Sequence, residues 1–351
     1  MSTRDAGFAQ AEADSTPPVR MGVIGVGRIG RMHAGLLLRE VPGTTVVAVA
    51  DAVPHVAASV AADLGVQALG IDELLANSDV EAVAICTSTD THVDLVVKAA
   101  SAGKAIMCEK PVSLNLAEVD RALAAVDAAG VPFMVGFNRR FDPGHASVAQ
   151  AVKNGTIGDL HLLRVTSRDP APPPPEYVAV SGGIFLDMMI HDFDMVRFVT
   201  GSDVVEVFAR GAVRVDPRIG EAGDVDTAVV VLTHENGTIT TIDNSREAVY
   251  GYDQRIEAFG SGGMAASDNP ARHNGWVRTA EATAGEPLPW FFLDRYLPSY
   301  RLEWAAFADY VRGGGDSPVG TRDGREPVRM GLAATRSLKE GRPVRLDEIT
   351  A

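Results

Sequence analysis

Cysteine is scarce: the 351-residue chain holds two, Cys86 and Cys108. Each closes an apolar run, and neither has a second cysteine or a histidine at metal-ligand spacing. This excludes a disulfide framework and reads as two inert core thiols in a reducing compartment. Positive charge is also short, with 32 Lys and Arg against 46 Asp and Glu and a net charge of −14. An acidic surface repels phosphate backbones and anionic lipid, so neither nucleic acid nor a membrane is an expected partner. No apolar run approaches the roughly 18–20 residues that a bilayer span needs. The 8 histidines form no H-x-H or H-x-x-x-H cluster, and no metal is expected. The opening segment MSTRDAGFAQAEADSTPPVR lacks an apolar core and carries acids. It reads as a disordered tail over residues 1–19 rather than a secretory leader, which places the protein in the cytoplasm.

What remains is an ordinary globular composition, 46% hydrophobic and 22% charged, in a chain long enough for two domains. Between residues 20 and 137, short β-branched runs alternate with helical stretches. MGVIGV, TTVVAVAD, VQAL, VEAVAICT, KAIMCEKP and VPFMVGF are the runs; 29–40, 56–64, 91–101 and 113–129 are the helices, the last with Ser113 as its N-cap. That grammar predicts a Rossmann doubly wound parallel sheet with helices on both faces. From 138 to 351 the runs lengthen: HLLRVTSRD, VVEVFARGAVRV, DTAVVVLTHE, GTITTIDNSREA and DQRIEAFGS. Asn236-Gly237 is a hairpin signal between two of them. Helices are expected at 144–154, 185–200, 296–312 and 326–341, and APPPPEY (171–177) as a stiff polyproline-like loop. The expectation is a second, α+β domain with a large open, mostly antiparallel sheet, the final helix packing back on the first domain.

Gly25-Val26-Gly27-Arg28-Ile29-Gly30 follows the first run and opens the first helix. In this G-x-G-x-x-G spacing the first glycine makes the turn, the second admits a pyrophosphate and the third lets helix and strand pack closely. The helix N-terminus then faces the phosphates. Asp51, at the end of the second run about twenty residues on, is placed to accept from ribose hydroxyls. Its charge repels the extra phosphate of NADP, and no Lys or Arg follows in Ala52-Val53-Pro54-His55, so NAD is the expected cofactor. Thr87, Ser88, Thr89 and His92 lie beyond the carboxyl end of the fourth run, where they line the nicotinamide half of a cleft or cap a helix.

Glu109-Lys110-Pro111 ends the fifth run on the same carboxyl edge, from which Lys110 either aims an ammonium into the cleft or pairs with Glu109 at the surface. Asp187 and His191 are four apart and share a helical face; a carboxylate there orients the imidazole and raises its proton affinity. Histidine suits the proton that leaves a hydroxyl as hydride departs. Asp192 and Asp194 turn off that face, toward caps or salt bridges.

GVGRIGRMH, Glu109-Lys110-Pro111, FNRRFDP (137–143) and the Asp187/His191 pair, in this order, resemble the Gfo/Idh/MocA oxidoreductases from Arg20 onward. MGLAATRSLKEGRPVRL (330–346) is similar to that family's C-terminal helix and strand. TSRDP (166–170), SGGIFLDMMIHDFD (181–194) and NSREAVYGYDQR (244–255) resemble its inositol-dehydrogenase branch. The resemblance implies NAD-dependent oxidation of a secondary hydroxyl of a cyclic polyol, myo-inositol first, with Lys110, Asp187 and His191 as the catalytic set. It implies Asp169 and Tyr250 facing substrate hydroxyls, Asn138 and Arg139 near the cleft, Glu109 and Lys110 beside the cofactor, and a homotetramer. Scyllo-inositol or an aldose as substrate is the alternative within the family; an NAD-sensing protein without turnover is the alternative outside it. Trp290, Phe291 and Tyr296 either cover the polyol ring or pack between subunits.

Overall fold

A computed structural model describes residues 17–313 and 315–351. The tail expected over 1–19 falls mostly outside the described residues, and Val19 already belongs to a strand. The first sheet contains β1 (Val19–Ile24), β2 (Thr44–Ala50), β3 (Gln67–Ala68), β4 (Ala82–Ile85), β5 (Ala105–Glu109) and β6 (Phe133–Gly136). Their order is β3-β2-β1-β4-β5-β6, all parallel. Helices α1 (Arg28–Arg39), α2 (Pro54–Leu64), α3 (Ile71–Ala76), α4 (Thr89–Ser101) and α5 (Leu116–Ala129) connect them. The strand order reverses between β1 and β4, the place where an open α/β sheet forms its ligand crevice. The nearly continuous burial of β1, β4 and β6 is what a parallel sheet covered on both faces requires. Helix α5 starts three residues later than its sequence suggests: Asn115, not Ser113, caps it, accepting from the N–H groups of Ala117 and Glu118. Ser113 instead accepts from the N–H of Asn115.

A 3₁₀ turn, Asn138–Phe141, leads into α6 (Pro143–Lys153), β7 (Leu160–Arg168), α7 (Pro175–Ser181) and α8 (Ile190–Thr200). Then come β8 (Val204–Ala212), α9 (Pro217–Glu221), β9 (Thr227–His234), β10 (Ile239–Ser245), β11 (Asp253–Gly260) and β12 (Gly263–Ser267). A small pair, β13 (Trp276–Arg278) and β14 (Thr283–Gly285), precedes α10 (Phe292–Val311), α11 (Thr321–Glu340) and β15 (Val344–Arg345). The second sheet runs β12-β11-β7-β10-β9-β8-β15. Every pairing in it is antiparallel except β7 with β10. Asn236-Gly237 makes the β9–β10 hairpin, with Gly237 at φ +86. The Pro-rich loop is shorter than expected, because Pro175 starts a helix whose φ it already satisfies, and Tyr177 is helical.

One apolar core lies around the first sheet and a second between α8, α11 and the inner face of the second sheet. Helix α11 joins them. Its Gly331 admits Leu186, which would lie 2.4 Å from an added Cβ, and its Arg325 pairs with Asp120 of α5 at 2.6 Å.

Candidate active site

The glycine motif is built for close approach. Gly25 has φ +82, and a Cβ there would meet the Thr87 backbone nitrogen at 2.7 Å, so the loops after β1 and β4 touch at the switch point. A Cβ on Gly30 would lie 1.8 Å from the Gly25 carbonyl oxygen, which seats the first turn of α1 directly on the strand. A Cβ on Gly27 would meet nothing within 4 Å. No side chain caps α1, and its first turn carries no acid. An open cradle under uncapped N–H groups fits a dinucleotide pyrophosphate. Asp51 stands at the edge of this cradle, accepting from the Val26 N–H at 2.9 Å and the Val53 N–H at 2.9 Å. Arg28 and Ile29 sit in the first turn, with the Arg28 guanidinium 5.2 Å from the centre of the Phe291 ring.

Two residues expected at the cofactor are struts instead. His92 is buried between two loops, with Nδ1 2.8 Å from the Pro111 carbonyl and Nε2 3.1 Å from the Thr87 carbonyl, and the neutral ring donates its one N–H to one of them. Burial holds its pKa below the usual imidazole value. Glu109 accepts from His33 Nε2 at 2.7 Å. Trp304, a donor only, gives its N–H to His33 Nδ1 at 2.8 Å, which fixes the neutral Nε2–H tautomer. Glu109 thereby stays ionised despite burial, its pKa lowered by His33 and Lys110, and accepts the Lys110 backbone N–H at 3.2 Å. Thr87 and Thr91 bond to each other at 2.7 Å, and Ser88 caps α4 through its backbone only.

Lys110 crosses to the second half of the chain. Its ammonium donates to the backbone carbonyl of Asp187 at 2.9 Å. Asp187 lies in a five-residue π turn, Ile184–Met188, closed by Met189 N–H to Ile184 C=O at 2.8 Å. The extra residue in that turn rotates Asp187 off the face that His191 occupies in α8, so the expected Asp187–His191 hydrogen bond is absent. Asp187 is held instead by the Tyr177 hydroxyl at 2.9 Å and by Arg246 at 3.2 Å. The Nδ1 of His191 is buried with no partner, and Phe137 meets the ring edge-on. Burial, followed by the charges of Lys110 and Arg139, pushes the His191 pKa well below 6.5, the reverse of the expected rise. The imidazole is therefore neutral across the physiological range.

Asp169, just past β7, joins this group. Burial raises its pKa to about 6, against the opposing charges of Arg246, Arg139 and Lys110. Asn138 is buried in the Asn138–Phe141 3₁₀ turn, its Nδ2 without a partner. Arg139 does not open onto the cleft. It is consumed by Asp192 at 2.6 Å and Ser167 at 2.9 Å, inside a cluster where Asp192 also accepts from Asn244. Asp194 likewise takes the Nε and Nη2 edge of Arg140, at 2.8 and 2.6 Å, while Nη1 goes to the Pro318 carbonyl and Asp323. Tyr250 is the other departure: it is 48% exposed, and its hydroxyl is bound to Asp253 and Arg168 on the opposite side of β7 from Ser167. Tyr296 is buried against Arg139 and Arg295, while Trp290 is exposed. Both cysteines are inert: burial raises their pKa values, and Cys108 is fully enclosed.

Sequence reasoning missed Tyr177, Arg246, His33 and Trp304. The first two act on Asp187 from distant segments, and no local spacing relates them to it. Glu303 was missed as well: it is wholly buried without a hydrogen-bond partner, and burial and Glu109 keep its carboxyl protonated.

The chain has relatives over most of its length. Residues 19–137 match the oxidoreductase family with an NAD-binding Rossmann fold, and residues 145–266 match the GFO/IDH/MocA C-terminal domain. The chain is 48% identical to the myo-inositol 2-dehydrogenase of Thermotoga maritima, over 94% of this chain and 99% of that one. It is 43% identical to the inositol 2-dehydrogenase of Rhizobium meliloti, over 93% and 98%. The structure of Lactobacillus casei scyllo-inositol dehydrogenase with bound NAD(H) and scyllo-inositol superposes with a TM-score of 0.88 at 28% identity, covering 94% of this chain and 99% of that one.

Proposed function

Because the chain belongs to the GFO/IDH/MocA oxidoreductases and carries their NAD-binding Rossmann fold, we propose that it oxidises one secondary hydroxyl of myo-inositol, giving 2-keto-myo-inositol. The observation that carries this reading is the reach of Lys110 from the carboxyl edge of the first sheet to Asp187, within the group formed by Asp169, Arg246 and His191. A cation, a neutral imidazole and acceptor carboxylates grouped at that edge support a polyol bound against the dinucleotide crevice. The names of the relatives support inositol over an aldose.

The nicotinamide supplies the hydride acceptor. The chain's own residues handle the proton and the oxygen. His191, neutral, takes the proton of the reacting hydroxyl on Nε2, because its Nδ1 is enclosed. Lys110 donates to the oxygen as charge develops on it. Asp187 works through position: its carbonyl holds the Lys110 ammonium, and its carboxylate is locked by Tyr177 and Arg246. Asp169 accepts from a neighbouring hydroxyl. Asp51, with no cation after it, selects NAD over NADP by repelling a 2′-phosphate. We extend the reading to a homotetramer in the cytoplasm. Leu162, Val229, Val231, Phe259 and Met264 expose an apolar sheet face suited to a second copy, and the two thiols are free.

The test is His191→Ala assayed with a panel of inositol stereoisomers and aldoses. NADH absorbance should show myo-inositol turned over fastest by the parent enzyme. The variant should lose about 10²–10⁴ in kcat with NAD affinity intact. Turnover equal to the parent removes His191 from the chemistry.

A further inference from the structure

Arg28 opens α1 directly after the glycine turn, and its side chain is exposed. No acid lies in that first turn. Among the described residues no carboxylate pairs with its guanidinium, whereas Arg31, three residues on, pairs with Asp63 at 2.5 Å. What faces Arg28 instead is aromatic, and it comes from the other half of the chain. The centre of the Phe291 ring lies 5.2 Å from the guanidinium carbon and that of Phe292 5.9 Å. The two rings lie against each other, their centres 4.5 Å apart. Both are half-buried, and the backbone under them is fixed. Helix α10 starts from Phe291, the Pro289 carbonyl accepts the Tyr252 N–H at 2.9 Å, and Phe292 packs on the first core. Farther along the two helices Trp304 donates to His33 and Arg301 pairs with Glu40, so the start of α10 is held at the start of α1. The Arg28 charge is also felt across the cleft: burial and Asp187 raise the Tyr177 pKa, and Arg246 and Arg28 oppose them. An arginine on a helix surface samples many rotamers, and ordering it on a ligand lowers affinity. A guanidinium attracted to two rings is confined before the ligand arrives. It is confined beside the open cradle at Gly27 and the uncapped N–H groups of α1, where a pyrophosphate brings negative charge.

We propose that Phe291 and Phe292 are positioning residues for the cofactor. They hold the Arg28 guanidinium at the mouth of the crevice, where it pairs with the pyrophosphate of NAD. The α10 half of the chain thereby sets how tightly the Rossmann half binds its dinucleotide, with no contact between either ring and the cofactor.

The experiment is a double-mutant cycle on the full chain, with the Kd for NAD and for ADP-ribose measured by calorimetry without polyol. Arg28→Met keeps the length of the side chain and removes its charge. It should weaken both ligands about tenfold or more and flatten the dependence of Kd on salt. Phe291→Leu with Phe292→Leu keeps apolar side chains and removes the rings. It should weaken both ligands about three- to fivefold, the size of an exposed cation–π contact. In the Arg28→Met background the same two leucines should change neither Kd by more than about 1.5-fold. Phe291→Tyr keeps a ring and should bind NAD as the parent does. If the paired leucines do not fold, Phe291→Leu alone closes the same cycle. Leucines that weaken NAD equally in both backgrounds overturn the proposal, because rings that stack on the dinucleotide or only support the fold act without Arg28. Leucines that leave the NAD Kd at the parent value overturn it too, as do an Arg28→Met variant with unchanged Kd and a Phe291→Tyr variant as weak as the leucine. Every readout is a binding constant taken without polyol, so a parent enzyme that binds NAD and oxidises no inositol loses the inositol reading and leaves this one standing.

Discussion

Asp169→Asn separates two groups that a pH profile alone would confuse. An acid limb in kcat/KM is ordinarily given to a histidine base. Here His191 is held well below its usual value by burial and two nearby cations, whereas Asp169 is raised by burial to about 6. If Asp169 must be ionised to accept from a substrate hydroxyl, kcat/KM falls about tenfold for each pH unit below 6, so at pH 5 roughly one-tenth of the activity remains. The asparagine keeps the shape and one acceptor oxygen but does not titrate. Converting a charged acceptor to a neutral one costs about 1.4 kcal/mol, roughly tenfold in kcat/KM at pH 8. The variant should therefore be about tenfold slower at pH 8 and flat from pH 5 to 7, measured by NADH absorbance at subsaturating polyol and constant ionic strength. Stability gives a second readout. The folded pKa lies above the unfolded one, so the folded state binds the proton more tightly. That contribution is fully present below about pH 4 and is lost as pH rises through about 6, a difference of up to about 3 kcal/mol before allowing for the solvent the carboxyl retains. Asp169→Asn should accordingly unfold at higher denaturant than the parent at pH 7.5. A limb near pH 6 that persists in the asparagine variant refutes the assignment.

Two further substitutions probe the supports of the site. Asp192→Asn leaves the buried Arg139 guanidinium facing an amide and should destabilise the fold by about 3–5 kcal/mol in urea denaturation, while Arg139→Met combined with Asp192→Leu should recover most of that loss; a single-variant loss below about 1 kcal/mol contradicts the buried-pair account. Trp304→Phe removes the donor that fixes the His33 tautomer and leaves a gap in a buried cluster. It should reduce stability by about 2–4 kcal/mol and lower kcat several-fold through Glu109 and Lys110, with an unchanged kcat excluding that line of transmission.

The architecture was legible wherever periodicity is local. The six apolar runs of the first domain became its six strands, because a parallel sheet buried on both faces writes itself as continuous β-branched runs. Asn236-Gly237 declared its hairpin for an equally local reason, the positive φ of its glycine. Polar capping was less readable. Ser113 and Asn115 both precede α5, and the choice between them depends on which side chain reaches the second and third N–H groups, a matter of backbone path rather than residue type. The Pro-rich stretch was read as polyproline throughout, although proline at a first helical position is equally at ease.

At the site, the glycine loop, Lys110 and His191 were singled out by type and spacing and Asp169 by the family resemblance, but the electrostatics of the acid–imidazole pair were inverted. A spacing of four puts two side chains on one face only if the turn between them is α. The chain's Ile184–Met188 turn is π, and nothing in GGIFLDMMIHDF marks the inserted residue. One extra residue turns Asp187 toward Tyr177 and Arg246, which come from residues before α7 ends and after β10 ends. His191, deprived of a carboxylate, then feels only burial and cations, and its proton affinity drops instead of rising. Arg139 and Tyr250 take partners that the sequence does not announce for a related reason: strand alternation at Ser167–Arg168 decides which side of β7 each partner meets. Ser167 draws Arg139 into the Asp192 cluster, and Arg168 draws Tyr250 to the other face. What local patterns determine is which residue types reach the carboxyl edge of the sheet; the charge each one finally carries is decided by segments that meet it only after folding.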